Sequence, residues 1–193
     1  MKQERTLSIE GKEYTLLISD EPQALLEAKA SGRAVLGCLD TGNGEGASRD
    51  FQGIPYVVPS MEYVTEELLE LILRRYLGLP WLIDETERLY IREFVKEDAE
   101  NIPEEEYGKE EEIFRDPDKL EVYIKNQYGF YEYGTWAVLK KSPSLLIGMA
   151  GVSNPNLPET ALQALPTLPD DLCWLELGYH IFKPYRKNGY ATE

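Results

Sequence analysis

Histidine occurs once in the 193 residues, at His180, and cysteine twice, at Cys38 and Cys173. One imidazole and two distant thiols do not make a zinc site of the usual His/Cys kind, so no metal centre is expected, and any multi-histidine mechanism is excluded. Both cysteines stand in apolar, strand-like surroundings (AVLGCLD and LCWLELGY). They read as two buried thiols rather than a disulfide. Long apolar runs are missing as well, so no segment is expected to span a membrane. The opening MKQERTLSIEGKEYTLL carries charges and no stretch of signal-peptide character, which places the protein in the cytoplasm. Basic residues are scarce: 20 against 35 acidic, a net charge of -15. Such a surface repels phosphate backbones, which excludes nucleic acid as a partner and favours cationic ones.

What is present is ordinary globular composition, 42% hydrophobic and 28% charged. The length suits one good core or two small ones. The chain has two regions with different grammar, and the fold class expected is α/β. Residues 1–80 read as a small parallel βαβ domain. Tyr14 to Ile18 is a strand, Asp20 an N-cap with Pro22 in the first turn, and Gly32 a helix stop. Ala34 to Leu39 is the next strand, and Ile54 to Val58 an edge strand because of Pro55. A helix from Thr65 to Leu77 ends at Gly78. Thr41 to Gly46 is glycine-rich, but no convincing helix comes after it, so it reads as a surface loop rather than a phosphate cradle.

The segment SDEPQALLEAKASGRAVLG is similar to the late part of the haloacid-dehalogenase (HAD) Rossmann-like fold, over roughly fifty residues. The resemblance implies an Asp ending a strand and a helix leading to the next one. No DxDxT motif occurs, and the position four residues after Asp20 is Ala24 rather than an acid. Without a nucleophilic aspartate there is no phosphoaspartyl chemistry, so this half is read as non-catalytic.

Residues 81–193 alternate differently. Residues 79–87, LPWLIDETE, read as a turn joining the halves. Leu89 to Phe94 is a strand, Lys96 to Ala99 opens a helix, and Asp116-Pro117 starts another running toward Gly129. Thr135 to Leu139 and Leu145 to Val152 flank a hairpin turn, KKSPS. A polar loop spans about Ser153 to Asp171, and Cys173 to Phe182 is a further strand. By alternation Trp174, Glu176, Gly178, His180 and Phe182 share one face, and Leu175, Leu177, Tyr179 and Ile181 the other.

This order, with R-x-x-G-x-A after it at Arg186, Gly189 and Ala191, resembles the GNAT acetyltransferases. IGMAGV and LELGYHIFKPYRKNGYATE are similar to the subgroup that includes ribosomal-protein N-terminal acetyltransferases. The resemblance covers about 105 residues and implies a mixed α+β sheet and N-acetyl transfer from acetyl-CoA to an amine. It implies that Arg186, Lys187, Asn188, Gly189, Tyr190 and Ala191 hold the pyrophosphate on backbone N–H groups, helped by a helix beginning there. It also implies that the backbone at Ile181 and Phe182 pairs with the pantetheine arm as an added strand would. Glu176, among aromatics, is the candidate base, with a structural hydrogen bond or ion pair as the competing role. His180 reads as a packing residue.

Against the family pattern the chain is expected to be a truncated member, lacking a fifth strand and the usual general-acid tyrosine. The strand from Cys173 to Phe182 would then be an exposed edge and a route to dimers. A non-catalytic CoA-binding or scaffold module is the competing function. Nine acids between Glu97 and Glu112, against Lys109 alone, either steer a cationic acceptor or form a solvated run.

Overall fold

The computed structural model describes residues 1–40, 50–104, 109–162, 164–169 and 172–193. The glycine-rich stretch Thr41 to Gly46 lies outside the described residues. The chain divides into two units, Met1–Trp81 and Leu82–Glu193.

In the first unit, β1 (Lys2–Ile9) and β2 (Lys12–Ser19) form an antiparallel hairpin. Its turn is Glu10-Gly11, with φ of 50° and 79°. Positive φ at both central residues matches the right-handed twist of the paired strands. Helix α1 (Pro22–Ala30) carries the chain to β3 (Ala34–Asp40), parallel to β2, and β4 (Val57–Ser60) pairs parallel with β3. The sheet order is β1-β2-β3-β4, so the expected parallel βαβ is present with an antiparallel strand added. Alternation in β2 and β3 sends Leu16, Ile18, Leu36 and Cys38 toward helix α2 (Glu66–Tyr76) with Leu69, Ile72 and Leu73. Leu17 and Val35 point the other way, onto Leu25 and Ala28 of α1. Thr65 caps α2 by accepting from the Leu68 N–H. Asp20 is not the cap of α1; Glu21 holds that position without a side-chain bond. Asp20 is buried instead, and its carboxylate accepts from the Met1 ammonium.

The second unit is built on a five-stranded antiparallel sheet, order β5-β6-β7-β8-β9. Leu82–Glu85, expected as part of a linker, forms β5 against β6 (Leu89–Arg92). β7 (Thr135–Lys140) and β8 (Leu145–Ser153) form the expected hairpin. β9 (Glu176–Ile181) starts three residues later than Cys173. Cys38 is buried as expected, but Cys173 is exposed; both are free thiols. The segment Lys96–Asn101 is 3-10 rather than α. Its Asp98 accepts both guanidinium nitrogens of Arg92, at 2.7 and 2.9 Å, and the Val95 N–H at 2.8 Å.

Helix α3 (Pro117–Tyr123) is capped by Asp116 and continues as a π-helix over Ile124–Tyr131. A π-turn returns to the same side after about five residues, where an α-turn does so after about four. Tyr123 and Tyr128, five apart, therefore both face the sheet, their rings edge-on at 5.7 Å. Phe114 lies 5.0 Å from Tyr123 and 5.4 Å from Phe94, completing an aromatic column. The Tyr128 hydroxyl accepts from the Phe94 N–H and donates to the Thr135 carbonyl, while the Tyr123 hydroxyl accepts from the Thr135 N–H. These bonds tie the ends of β6 and β7 to the helical layer.

Burial is the main cause that holds both phenol pKa values above the usual 10.0. A raised folded pKa means the native state binds the proton more tightly. That contribution is intact below about pH 10 and is lost as pH rises through the folded value. Tyr128→Phe is expected to lower the unfolding free energy by about 1–3 kcal/mol at neutral pH, since it leaves a buried N–H and a carbonyl unpaired. Urea unfolding from about pH 8 to about pH 11 should show a shallower alkaline decline in the variant than in wild type, with Tyr123 and Lys96, whose pKa values are also raised, contributing to what remains.

Candidate active site

Two glycines in β8 let its neighbours come close, Gly148 on the β9 side and Gly151 on the β7 side. A Cβ built on Gly148 would lie 2.4 Å from the His180 carbonyl oxygen, and one on Gly151 would lie 2.1 Å from the Gly134 oxygen. Only residues without Cβ let the neighbouring backbones come this close. Against β7, β8 also carries an extra residue, for Val138 pairs with Gly148 and Leu139 with Leu146. Ile147 is that extra residue, and its carbonyl accepts the Phe182 N–H at 2.9 Å. Bulges of this kind bend a strand and re-aim the residues beyond them. β9 then runs antiparallel to β8 from Ser153↔Glu176 to Gly148↔Ile181.

The sequence-derived faces hold. Phe182 joins the core under the helical layer with Met149 and Phe94, while Ile181 packs on the opposite face with Ile147 and Val138. Phe182 is fully buried and its N–H is taken, so it has neither ring nor donor for a pantetheine arm. The Ile181 carbonyl accepts from Arg186 Nε at 2.7 Å. By antiparallel alternation, the outward-facing backbone of β9 is that of Leu177, Tyr179 and Ile181.

After β9 a 3-10 turn, Lys183–Tyr185, leads into residues 186–192. Lys187 has φ of 62° and Gly189 of 80°, while Asn188 and Tyr190 stay at negative φ. Alternating signs of φ turn successive N–H groups to the same side, forming a concave nest that suits an anion. Among the described residues, no chain acceptor engages the N–H groups of Lys187, Gly189, Tyr190 and Ala191, while that of Asn188 closes the turn at 186–187. The loop is pinned from beneath: Asn188 Nδ2 donates to the Tyr185 and Arg186 carbonyls, and the Arg186 guanidinium turns back to β9 and His180. Lys187 is exposed and lines the cleft beside the nest, together with Arg186. His180, half-buried, contacts Arg186 and lies tilted against Phe182, a packing position. An open cleft of about 430 Å³ lies between Tyr179, Ile181 and the loop from Tyr185 to Thr192.

Residues 189–192 make one turn, closed by Thr192 N–H on the Gly189 carbonyl at 3.2 Å. Two expectations change. Glu176 is exposed rather than desolvated among aromatics, and its Oε2 accepts the Asn156 N–H at 3.3 Å. The acidic stretch is not one field: Asp98 is buried against Arg92, Glu104 pairs with Arg115 and Glu112 with Lys119. Glu97 and Glu100 are exposed, and Glu105, Glu106 and the side chains of Glu110 and Glu111 lie outside the described residues. Sequence reasoning missed Arg88 and Glu193, which meet beneath the nest; a pairing across about a hundred residues leaves no local pattern.

A family model described as an acetyltransferase (GNAT) domain matches residues 88–193. The chain belongs to the GNAT acetyltransferase family. Comparison with curated proteins and with solved structures gives no match. Among the described residues no helix is long and apolar enough to cross a membrane, and no group of three or more His, Cys, Asp or Glu side chains could hold a metal ion.

Gly148→Ala should move β9 away from β8, because the contact it creates is with backbone and not with a flexible side-chain end. A loss of about 1–3 kcal/mol in denaturant unfolding is expected. A variant as stable as wild type would mean that β9 is not held by this close approach.

Proposed function

We propose that this chain transfers an acetyl group from acetyl-CoA to a primary amine. The observation that carries the reading is the loop at 187–190, where φ alternates in sign and the N–H groups of Lys187, Gly189 and Tyr190 are open beside β9. Backbone donors of this kind fit a pyrophosphate: they are fixed, closely spaced and carry partial positive charge. Lys187 adds a full charge, and the outward edge of Leu177 to Ile181 suits an extended amide-bearing arm. Acetyl-CoA, when bound, supplies a thioester carbonyl. The amine nitrogen forms a bond to that carbonyl carbon, the C–S bond breaks, sulfur leaves with the electron pair, and the nitrogen loses a proton.

Glu176 is the proposed acceptor of that proton, directly or through water. It lies on the strand that edges the cleft and is held by one backbone N–H, which leaves lone pairs to spare. Because it is exposed, the role rests on position rather than on burial. The acceptor side of the reading is a cationic amine, drawn by the net charge of -15 and by exposed Glu97 and Glu100. β9 is the outer strand of its sheet, with Leu177 and Tyr179 exposed; pairing of two copies along that edge is a further partner open to the chain only while the arm is absent, since both would use the same backbone groups. The same reading places the protein in the cytoplasm and takes residues 1–80 as a HAD-like, non-catalytic domain, in keeping with Asp20 being buried against the Met1 ammonium.

Titration calorimetry with CoA tests the nest. Gly189→Asp keeps a residue type that tolerates positive φ, and the nearest atoms to its Cβ are at 3.5 Å or more. The added carboxylate should weaken CoA at least about tenfold, while Gly189→Asn, of the same shape without charge, should weaken it much less. Equal affinity in wild type and Gly189→Asp would remove the loop from the site. For catalysis, Glu176→Gln should lower turnover about a hundredfold with CoA affinity retained. CoA binding by wild type without any acetyl transfer to an amine panel would leave the competing reading, a non-catalytic CoA-binding or scaffold module.

A further inference from the structure

Arg88 stands in the bend just before β6, 100 residues before Asn188, and its guanidinium reaches the loop from below. One terminal nitrogen donates to the Asn188 carbonyl at 2.9 Å. Nε donates to Glu193 Oε2 at 2.5 Å, and the other terminal nitrogen pairs with the same carboxylate oxygen. The face of the guanidinium lies 4.6 Å from the Tyr190 ring centroid. It is also the nearest group to Gly189 on the side where a Cβ would point, at 3.5 Å. The Glu193 carboxylate is closed from its other side by the Thr86 hydroxyl and the Arg88 N–H. One planar cation thus touches Asn188, Tyr190 and Glu193 and approaches Gly189, so it bears on the residues whose φ values make the nest.

We infer that Arg88, neutralised and oriented by Glu193, is a positioning residue that holds the 187–191 loop in its anion-binding conformation. The physical case is conformational. Lys187 is a non-glycine residue at φ of 62°, a state that L residues occupy at a cost. Such a residue stays there only where its surroundings over-determine it. Asn188 supplies two bonds from within the loop, and Arg88 supplies a side-chain bond to it from the bend just before β6. A guanidinium suits this because its fork serves a carbonyl and a carboxylate at once while its face stacks on a ring; an ammonium has no such plane. Glu193 also cancels the Arg88 charge, so the effect on a phosphate ligand runs through loop geometry rather than through direct attraction.

The inference rests on the CoA-binding reading above, and one experiment separates the two. CoA affinity is measured by calorimetry on the full chain for wild type, Arg88→Ala, Arg88→Lys, Glu193→Gln and the Arg88→Ala/Glu193→Gln pair, with folding of each checked by circular dichroism. Arg88→Ala should weaken CoA about tenfold, Arg88→Lys should fail to restore it, and the double variant should be no weaker than Arg88→Ala alone. A purely structural Arg88 would lower the thermal midpoint and leave CoA affinity of the folded protein unchanged; that result overturns the inference. Restoration by Arg88→Lys overturns it too, since charge alone would then suffice. Absence of CoA binding in wild type counts against the function reading instead. Should Arg88→Ala not fold, Arg88→Lys and Glu193→Gln decide, with weakening in both expected and wild-type affinity in both overturning the inference.

Discussion

The close approach of backbones across β8 is the constraint on which the site depends. Gly148 and Gly151 have no Cβ, and their neighbours occupy the space where one would be, with His180 and Gly134 oxygens at 2.4 and 2.1 Å. The extra residue at Ile147 lies beside them and hands its carbonyl to Phe182. Gly151 sets the approach of the start of β7, and Gly148 with Ile147 fixes where β9 runs and how it ends. Phe182, buried under the helical layer, then anchors that end hydrophobically; a side chain of this size contributes about 1.5–3 kcal/mol on burial.

On the proposed reading, a strongly acidic protein would need a local solution to its own field in order to hold an anionic ligand. The donors would be backbone N–H groups, which carry no charge to be neutralised by nearby carboxylates. Arg186 and Arg88, the two arginines at the loop, are turned inward onto carbonyls and Glu193. Both bear on backbone shape, and Arg186 and Lys187 are also exposed and line the cleft.

The helical layer over the sheet shows the same economy of polar groups. Two phenol hydroxyls serve three backbone groups of Phe94 and Thr135, at the point where β6 leaves the sheet and β7 enters it. The π-helix sets the five-residue spacing that lets both rings do this. Asp98 performs a similar task just past β6, joining Arg92 and the Val95 N–H; removing one member of so enclosed a pair typically costs about 3–5 kcal/mol.

Residue pattern by itself located strands β2, β3, β6, β7 and β8, the Asp116 cap, the KKSPS hairpin and the glycine-bearing loop at 186–191. Each of these is local: an apolar run or alternation, a side chain bonding its own turn, or a φ that glycine accepts. β1 and β5 escaped it because KQERTLSI and LIDE are mostly polar or short, and become strands only by pairing with a neighbour. The faces of β9 came from alternation, but the exposure of Glu176 did not, because solvent access depends on what lies across the sheet and not on neighbours in sequence. The turn at 189–192 is closed by Thr192 and held by Glu193. Tertiary structure alone brought Arg88 beneath Asn188 and Gly189, since a contact spanning 100 residues exists only once the sheet has formed between them.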